Sequence, residues 1–202
     1  MRVLHLASHN AKKIAELQNL VGPAWTIRSA ALLTPPVHWD ETGDTFAANA
    51  LIKTRTIWER TRTAVLGDDS GLIVDALDGR PGVYSSRFAG PEASDEDNNG
   101  KLVDALAGVP IEDRSARFVC CLAFKDERGN ESVFVGTLEG TITLVARGTN
   151  GFGYDPHFIP RPDGASKPGG RDERTLAEYS ASEKNVISHR AQAMRQFLDA
   201  IR

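Results

Sequence analysis

The chain has 202 residues, 41% of them hydrophobic and 25% charged, with a formal net charge of −3. That length and balance suit one large globular domain over residues 1–202 or two lobes sharing a core, and exclude a disordered chain. The slight negative balance argues against a nucleic-acid or membrane-surface binder, which needs a basic face, but leaves room for a small anionic ligand held by local lysines.

Residues 3–7 read as a buried first strand, too short in their apolar part for a signal peptide. Residues 10–21 follow as a helix, with Ile14, Leu17, Leu20 and Val21 at helical spacing and Ser8 or Asn10 as cap. A strand, a polar turn and a helix in succession mark an α/β chain. Residues 25–30 form a second strand, and Thr34-Pro35-Pro36 breaks the chain. Residues 46–62 are helical, with Phe46, Ala50, Ile57 and Trp58 on one face. The short strand 64–66 ends at Gly67-Asp68-Asp69-Ser70-Gly71, residues 72–77 continue extended, and residues 78–82 turn. A helix spans 95–107, capped by Ser94 or Asp95. Residues 117–124 and 132–135 form a hairpin about the turn 126–130, extended by 137–145. Residues 161–174 are rich in Pro, Gly and charge and read as an exposed loop. One last helix starts near Ser180, where Ser180-x-x-Glu183 makes a capping box, and its apolar stripe is Ile187, Ala191, Met194, Leu198 and Ile201. Helices and hairpins together imply a mixed sheet with flanking helices. No segment approaches the ~20 apolar residues of a membrane helix. Cys120 and Cys121 are adjacent, lack C-x-x-C spacing and read as buried small hydrophobes in a reducing cytoplasm.

Five segments carry chemistry. Two adjacent carboxylates, Asp68 and Asp69, repel each other between glycines and call for a cation. Magnesium takes one or two carboxylates and fills its octahedron with water and phosphate oxygens, so Glu41 with Asp69 or Asp68 suits it, and an aspartate left over can deprotonate water. Ser8, His9, Asn10, Ala11, Lys12 and Lys13 open the first helix, where backbone N–H groups and lysines attract anions. Asn49 and Lys53 share a helix face behind Glu41. Gly148-Thr149-Asn150-Gly151-Phe152-Gly153-Tyr154-Asp155-Pro156 joins aromatic rings, which stack on nucleobases, to a close-approach backbone. Lys184, His189 and Arg190 place cations in the first turns of the last helix, where an anionic or carbonyl-bearing ligand would compensate them. Each segment also has a plain reading: a capped turn, a solvated lysine, an aromatic core.

Taken in order, the segments resemble the Ham1-like nucleoside-triphosphate pyrophosphatases. The most specific pieces are Gly67-Asp68-Asp69-Ser70-Gly71-Leu72, Pro81-Gly82-Val83-Tyr84-Ser85, Phe152-Gly153-Tyr154-Asp155-Pro156 and Ser188-His189-Arg190. The resemblance implies an elongated mixed α/β fold with a cleft between two lobes, a homodimer, and magnesium-dependent hydrolysis of non-canonical purine triphosphates (ITP, dITP, XTP) to the monophosphate and pyrophosphate. It implies Asp69 as general base and Glu41 with Asp69 or Asp68 on magnesium. The triphosphate would lie on residues 8–13, Lys53 and Ser70, and the nucleoside on Phe152, Gly153, Tyr154, Asp155, Lys184, His189 and Arg190. The chain departs from the family pattern at Ala48, often glutamate, at Asn150, often glycine, and at Arg174, often lysine; its 163–173 loop is long. A Maf-like pyrophosphatase for modified or pyrimidine nucleotides, and a silent nucleotide-binding module, are the alternatives.

Overall fold

A computed structural model describes residues 2–21, 25–161 and 172–201. The elements in order are β1 (Arg2–Ala7), α1 (Ala11–Val21), β2 (Trp25–Ser29), α2 (Phe46–Thr61), β3 (Val65–Val74), α3 (Asp95–Leu106), β4 (Ser115–Lys125), β5 (Glu131–Ile142), β6 (Phe158–Pro160), α4 (Ala181–Ile187) and α5 (His189–Ala200). The strands form one sheet in the order β2-β1-β3-β4-β5-β6. β1 pairs parallel with β2 and with β3, whereas β5 pairs antiparallel with β6. The parallel pairs follow from the helical crossovers α1 and α2, which parallel strands require. The sheet is therefore mixed, as the pattern of helices and hairpins implies.

The chain divides into two compact units. The first comprises Met1–Asp69, Cys120–Gly136 and Arg190–Arg202; the second comprises Ser70–Val119 and Thr137–His189. In the first, Leu4 and Leu6 of β1 pack with Leu17 and Val21 of α1, one helical turn apart, and with Leu66, Leu122, Met194 and Phe197. In the second, Leu72, Val74, Leu102, Leu106, Phe118, Leu138, Tyr154 and Phe158 form the core.

Helix α2 begins at Thr45, whose hydroxyl accepts from the Ala48 N–H at 3.1 Å, and ends at Arg62 in the left-handed conformation, φ 54°. The Thr54 hydroxyl donates to the carbonyls of Ala50 and Ala123. Gly67 of β3 lies hard against this helix: a Cβ there would meet Thr54 Oγ1 at 2.3 Å and the Ala50 carbonyl oxygen at 2.5 Å. A glycine inside a strand often marks such a close approach. Gly67→Ala is expected to cost about 1–3 kcal/mol by overpacking. Urea unfolding checks it, and an unchanged midpoint would contradict the contact.

Several boundaries differ from the sequence expectation. β3 does not stop at Leu66; it runs unbroken through the double aspartate to Val74. The glycines do not end it because most of the strand is buried and its carboxylates find cationic partners. β5 likewise passes through Gly136 as one strand. The last helix is two helices, because Ser188 is extended (φ −62°, ψ 151°) and α5 restarts at His189. β6 and the 3-10 turn Gly82–Arg87 were not anticipated. Of the expected polar loop, residues 162–171 lie outside the described residues; Arg161 at its start is buried. Cys120 and Cys121 are free and buried, as expected. No helix among the described residues is long and apolar enough to cross a membrane.

Candidate active site

In the first unit, strand geometry gives the two adjacent aspartates different company, since successive side chains leave opposite faces. Asp68 is fully buried. Its Oδ1 accepts from Lys13 Nζ, and its Oδ2 accepts from Arg190 Nε at 2.9 Å and from the Cys120 thiol at 3.4 Å. Arg190, itself buried, also pairs with Glu16 of α1. Burial alone would raise the Asp68 carboxyl; the charges of Arg190 and Lys13 outweigh it and hold Asp68 well below the usual carboxylate range. Burial, reinforced by the Asp68 charge, pushes the Cys120 thiol well up, so it stays a protonated donor.

Asp69 is buried differently. Its Oδ1 accepts from Lys53 Nζ at 2.7 Å, while its Oδ2 is buried with no hydrogen-bond partner among the described residues. Burial pushes the Asp69 carboxyl upward and Lys53 only partly offsets it. Lys53 also reaches Glu41 Oε1 at 2.8 Å and the Asp68 carbonyl at 3.1 Å. The carboxylates of Asp69 and Glu41 thus meet on one ammonium, and they raise its proton affinity against the burial that would lower it. Asn49, one turn before Lys53 on α2, accepts from the Gly43 N–H at 2.8 Å and so pins the segment that carries Glu41.

The start of α1 is self-capped. Asn10 Oδ1 accepts from the N–H groups of Lys12 and Lys13, at 2.9 and 3.2 Å, and Ser8 Oγ accepts from the Asn10 N–H at 3.2 Å. Those backbone donors are therefore met within the loop. Ser8 is buried; His9, Asn10, Ala11 and Lys12 are exposed. The His9 ring stacks on Trp39, with centroids 4.3 Å apart and planes 11° apart.

The second unit holds a second polar cluster. Gly148, Gly151 and Gly153 have φ of 79°, 75° and 61°. This backbone folds so that Asp155 Oδ2 accepts from the Phe152 N–H at 2.9 Å and from Lys184 Nζ at 2.7 Å. A side chain at Gly151 would strike that carboxylate, with its Cβ 2.0 Å from Oδ2. The Lys184 ammonium also lies 4.9 Å from the Phe152 ring centroid. His189 stacks on Phe118 at 5.0 Å. Ser70, next after Asp69 on β3, is half-buried. Tyr154 is placed otherwise than its motif suggests: its ring is buried in the core and its hydroxyl donates to the Ser85 carbonyl at 2.7 Å.

The structure thus brings together Lys13, Glu41, Lys53, Asp68 and Asp69, and separately Phe152, Gly153, Asp155 and Lys184. Arg190, grouped by its motif with the second set, has its guanidinium in the first. Glu16 and Trp39 were not singled out by sequence, and Cys120, read there as a buried small hydrophobe, also donates to Asp68. Of the three residues, Glu16, three positions after Lys13 on one helix face, carried the clearest signal.

Among the described residues no group of three or more His, Cys, Asp or Glu side chains could hold a metal ion. The donor set does fit magnesium: two carboxylates meeting at one cationic point, one with an unmet buried oxygen, suit an ion that draws its other ligands from water and phosphate.

The chain matches the model of the Ham1 family over residues 4–200. It is 44% identical over 195 residues to a dITP/XTP pyrophosphatase of Halalkalibacterium halodurans, spanning 95% of this chain and 94% of that protein. It is 45% identical over 199 residues to a dITP/XTP pyrophosphatase of Cutibacterium acnes, spanning 97% and 94%. Its fold is similar to the Ham1 protein structure from Staphylococcus aureus, with a TM-score of 0.85, 35% identity and coverage of 99% of this chain and 98% of that one.

Proposed function

Because this chain belongs to the Ham1 family, we propose that it hydrolyses non-canonical purine nucleoside triphosphates, ITP, dITP and XTP, to the monophosphate and pyrophosphate. The observation that carries the reading is Asp69: a buried carboxylate with one oxygen on Lys53 and the other unmet. That oxygen is available to accept a proton from water. The water oxygen then bonds to the α-phosphorus, the α–β anhydride bond breaks, and its electron pair leaves on pyrophosphate. Burial raises the proton affinity of Asp69, which favours this transfer. Glu41 and Asp69 are the side chains that would hold magnesium, which when bound neutralises phosphate charge.

Asp68 is assigned a different task, because both its oxygens already take donors. It anchors Lys13 and Arg190, and we place Arg190 with it rather than with the base. Residues 8–13, Lys53 and Ser70 are read as the triphosphate side, with lysine charge rather than open helix N–H groups as the main attraction. Phe152, Gly153, Asp155, Lys184 and His189 are read as the nucleoside side. Tyr154 supports that loop from the core. Hypoxanthine and xanthine carry a carbonyl where adenine carries an amino group, so N–H donors from Lys184 or His189 match the former and leave the latter mismatched. Residues 1–202 are read as one domain, acting as a homodimer in the cytoplasm; light scattering on the purified chain tests the oligomer.

A triphosphate panel tests the reading. With magnesium, kcat/KM for ITP and XTP should exceed that for ATP by about 100-fold or more, with pyrophosphate rather than phosphate released. Omitting the metal should abolish turnover. Equal efficiency on ATP would refute the specificity, and release of phosphate alone would refute the reaction.

A further inference from the structure

The nucleoside loop is held by a helix that the chemistry above does not use. Asp95 and Asn99 lie four residues apart near the start of α3, and so on one face. Asp95 Oδ2 accepts from the Gly153 N–H at 2.9 Å, and Asn99 Nδ2 donates to the Gly153 carbonyl at 2.9 Å. Both peptide groups flanking Gly153 are thereby fixed from one rigid element. Gly153 is in the left-handed conformation, φ 61°, although a Cβ there would meet nothing within 4 Å. Its glycine serves backbone conformation, not space.

Helix α3 is itself well anchored. Ser94 and Asp97 form a reciprocal capping box. Asn98 donates to the Ser86 carbonyl at 3.2 Å and accepts from the Ala89 N–H at 2.8 Å. The capping is complete without Asp95, and Asp95 is exposed, so neither capping nor core packing accounts for its bond to Gly153. The adjacent residue, Phe152, has its own N–H on Asp155. Phe152 is therefore bracketed: Asp155 holds its N–H, and α3 holds the residue that follows.

We propose that Asp95 and Asn99 are positioning residues that lock the two peptide groups flanking Gly153 and so set the nucleoside-binding conformation of this loop. The inference rests on reading the loop as the nucleoside side. Neither residue touches substrate, and their effect belongs to nucleoside affinity rather than to phosphate chemistry.

The test uses the full chain with Asp95→Ala, Asn99→Ala, the double variant, Asp95→Asn and Phe152→Ala. KM and kcat are measured for ITP, together with the inhibition constant of inorganic triphosphate, which carries no base. Each alanine variant should raise KM for ITP about tenfold, the worth of one or two such hydrogen bonds. The kcat and the triphosphate inhibition constant should stay unchanged. Asp95→Asn, whose amide oxygen still accepts, should restore KM. The double variant should fall short of the product of the singles, because both act on one residue. Unchanged KM in both single variants would overturn the proposal. So would an equal loss of triphosphate binding, or a fall in kcat matched by a lowered melting temperature, since either marks a general structural role. Phe152→Ala separates the two layers. If it leaves KM for ITP unchanged, the nucleoside reading of the loop fails; if it raises KM while the α3 variants do not, the positioning role alone fails.

Discussion

Asp69→Asn is expected to lower kcat for ITP by about 10²- to 10⁴-fold, the usual worth of a general base. The amide is nearly isosteric and can still accept from Lys53, so the fold and its melting temperature should hold. What it loses is the ability of the unmet oxygen to take a proton. Asp68→Asn probes the neighbouring carboxylate through a different quantity. It leaves Lys13 and Arg190 facing a neutral group in a buried place, so stability should fall along with activity. The two adjacent aspartates are thus separable by which property moves. Retention of most activity in Asp69→Asn would contradict the base assignment.

The second large effect is on stability. Arg190→Ala removes the buried guanidinium from Asp68 and Glu16. Asp68 would keep Lys13 and Cys120, an incomplete set for a fully buried charge. Breaking a buried ion pair from one side costs about 3–5 kcal/mol, so urea unfolding should show a loss of that size. The pH dependence has a definite sign. The Asp68 carboxyl is depressed in the folded chain, so its contribution is present above the ordinary carboxylate value of about 3.9 and is lost as pH falls toward the depressed one. Arg190→Ala should weaken that acid-dependent loss. A change below about 1 kcal/mol, within the range of exposed pairs, would show that the guanidinium is not held in this network.

Much of this was legible locally. The first strand, the polar turn and the amphipathic α1 follow from apolar spacing, and the capping box at Ser180 and Glu183 stands as read. The break at Ser188 was not legible, because Ile187, Ala191, Met194 and Leu198 keep helical spacing across it. Strand β3 looked short because glycine and paired charge normally end a strand. It continues because Lys13, Lys53 and Arg190 neutralise the charge and because Gly67 admits the helix. The division of labour between Asp68 and Asp69 depends on which face each side chain leaves from and what waits there. Arg190 is 122 positions from Asp68 in the chain, and no local pattern reports such a pairing. Tyr154 sat in a motif that suggested stacking, yet its hydroxyl finds the Ser85 carbonyl inside the core. The grouping of Lys53 with Glu41 was closer to the surface of the sequence. Glu41 precedes the helix and Lys53 lies two turns into it, about 10 Å along its axis, so the pair also needs the preceding segment to fold back, which the Gly43 N–H bond to Asn49 holds in place.

The most direct measurement is hydrolysis of ITP in water labelled with oxygen-18, followed by mass spectrometry of both products. Attack by Asp69-activated water on the α-phosphorus places one labelled oxygen in the inosine monophosphate and none in the pyrophosphate. Label in the pyrophosphate, with unlabelled monophosphate, would mean attack at the β-phosphorus and would contradict the account.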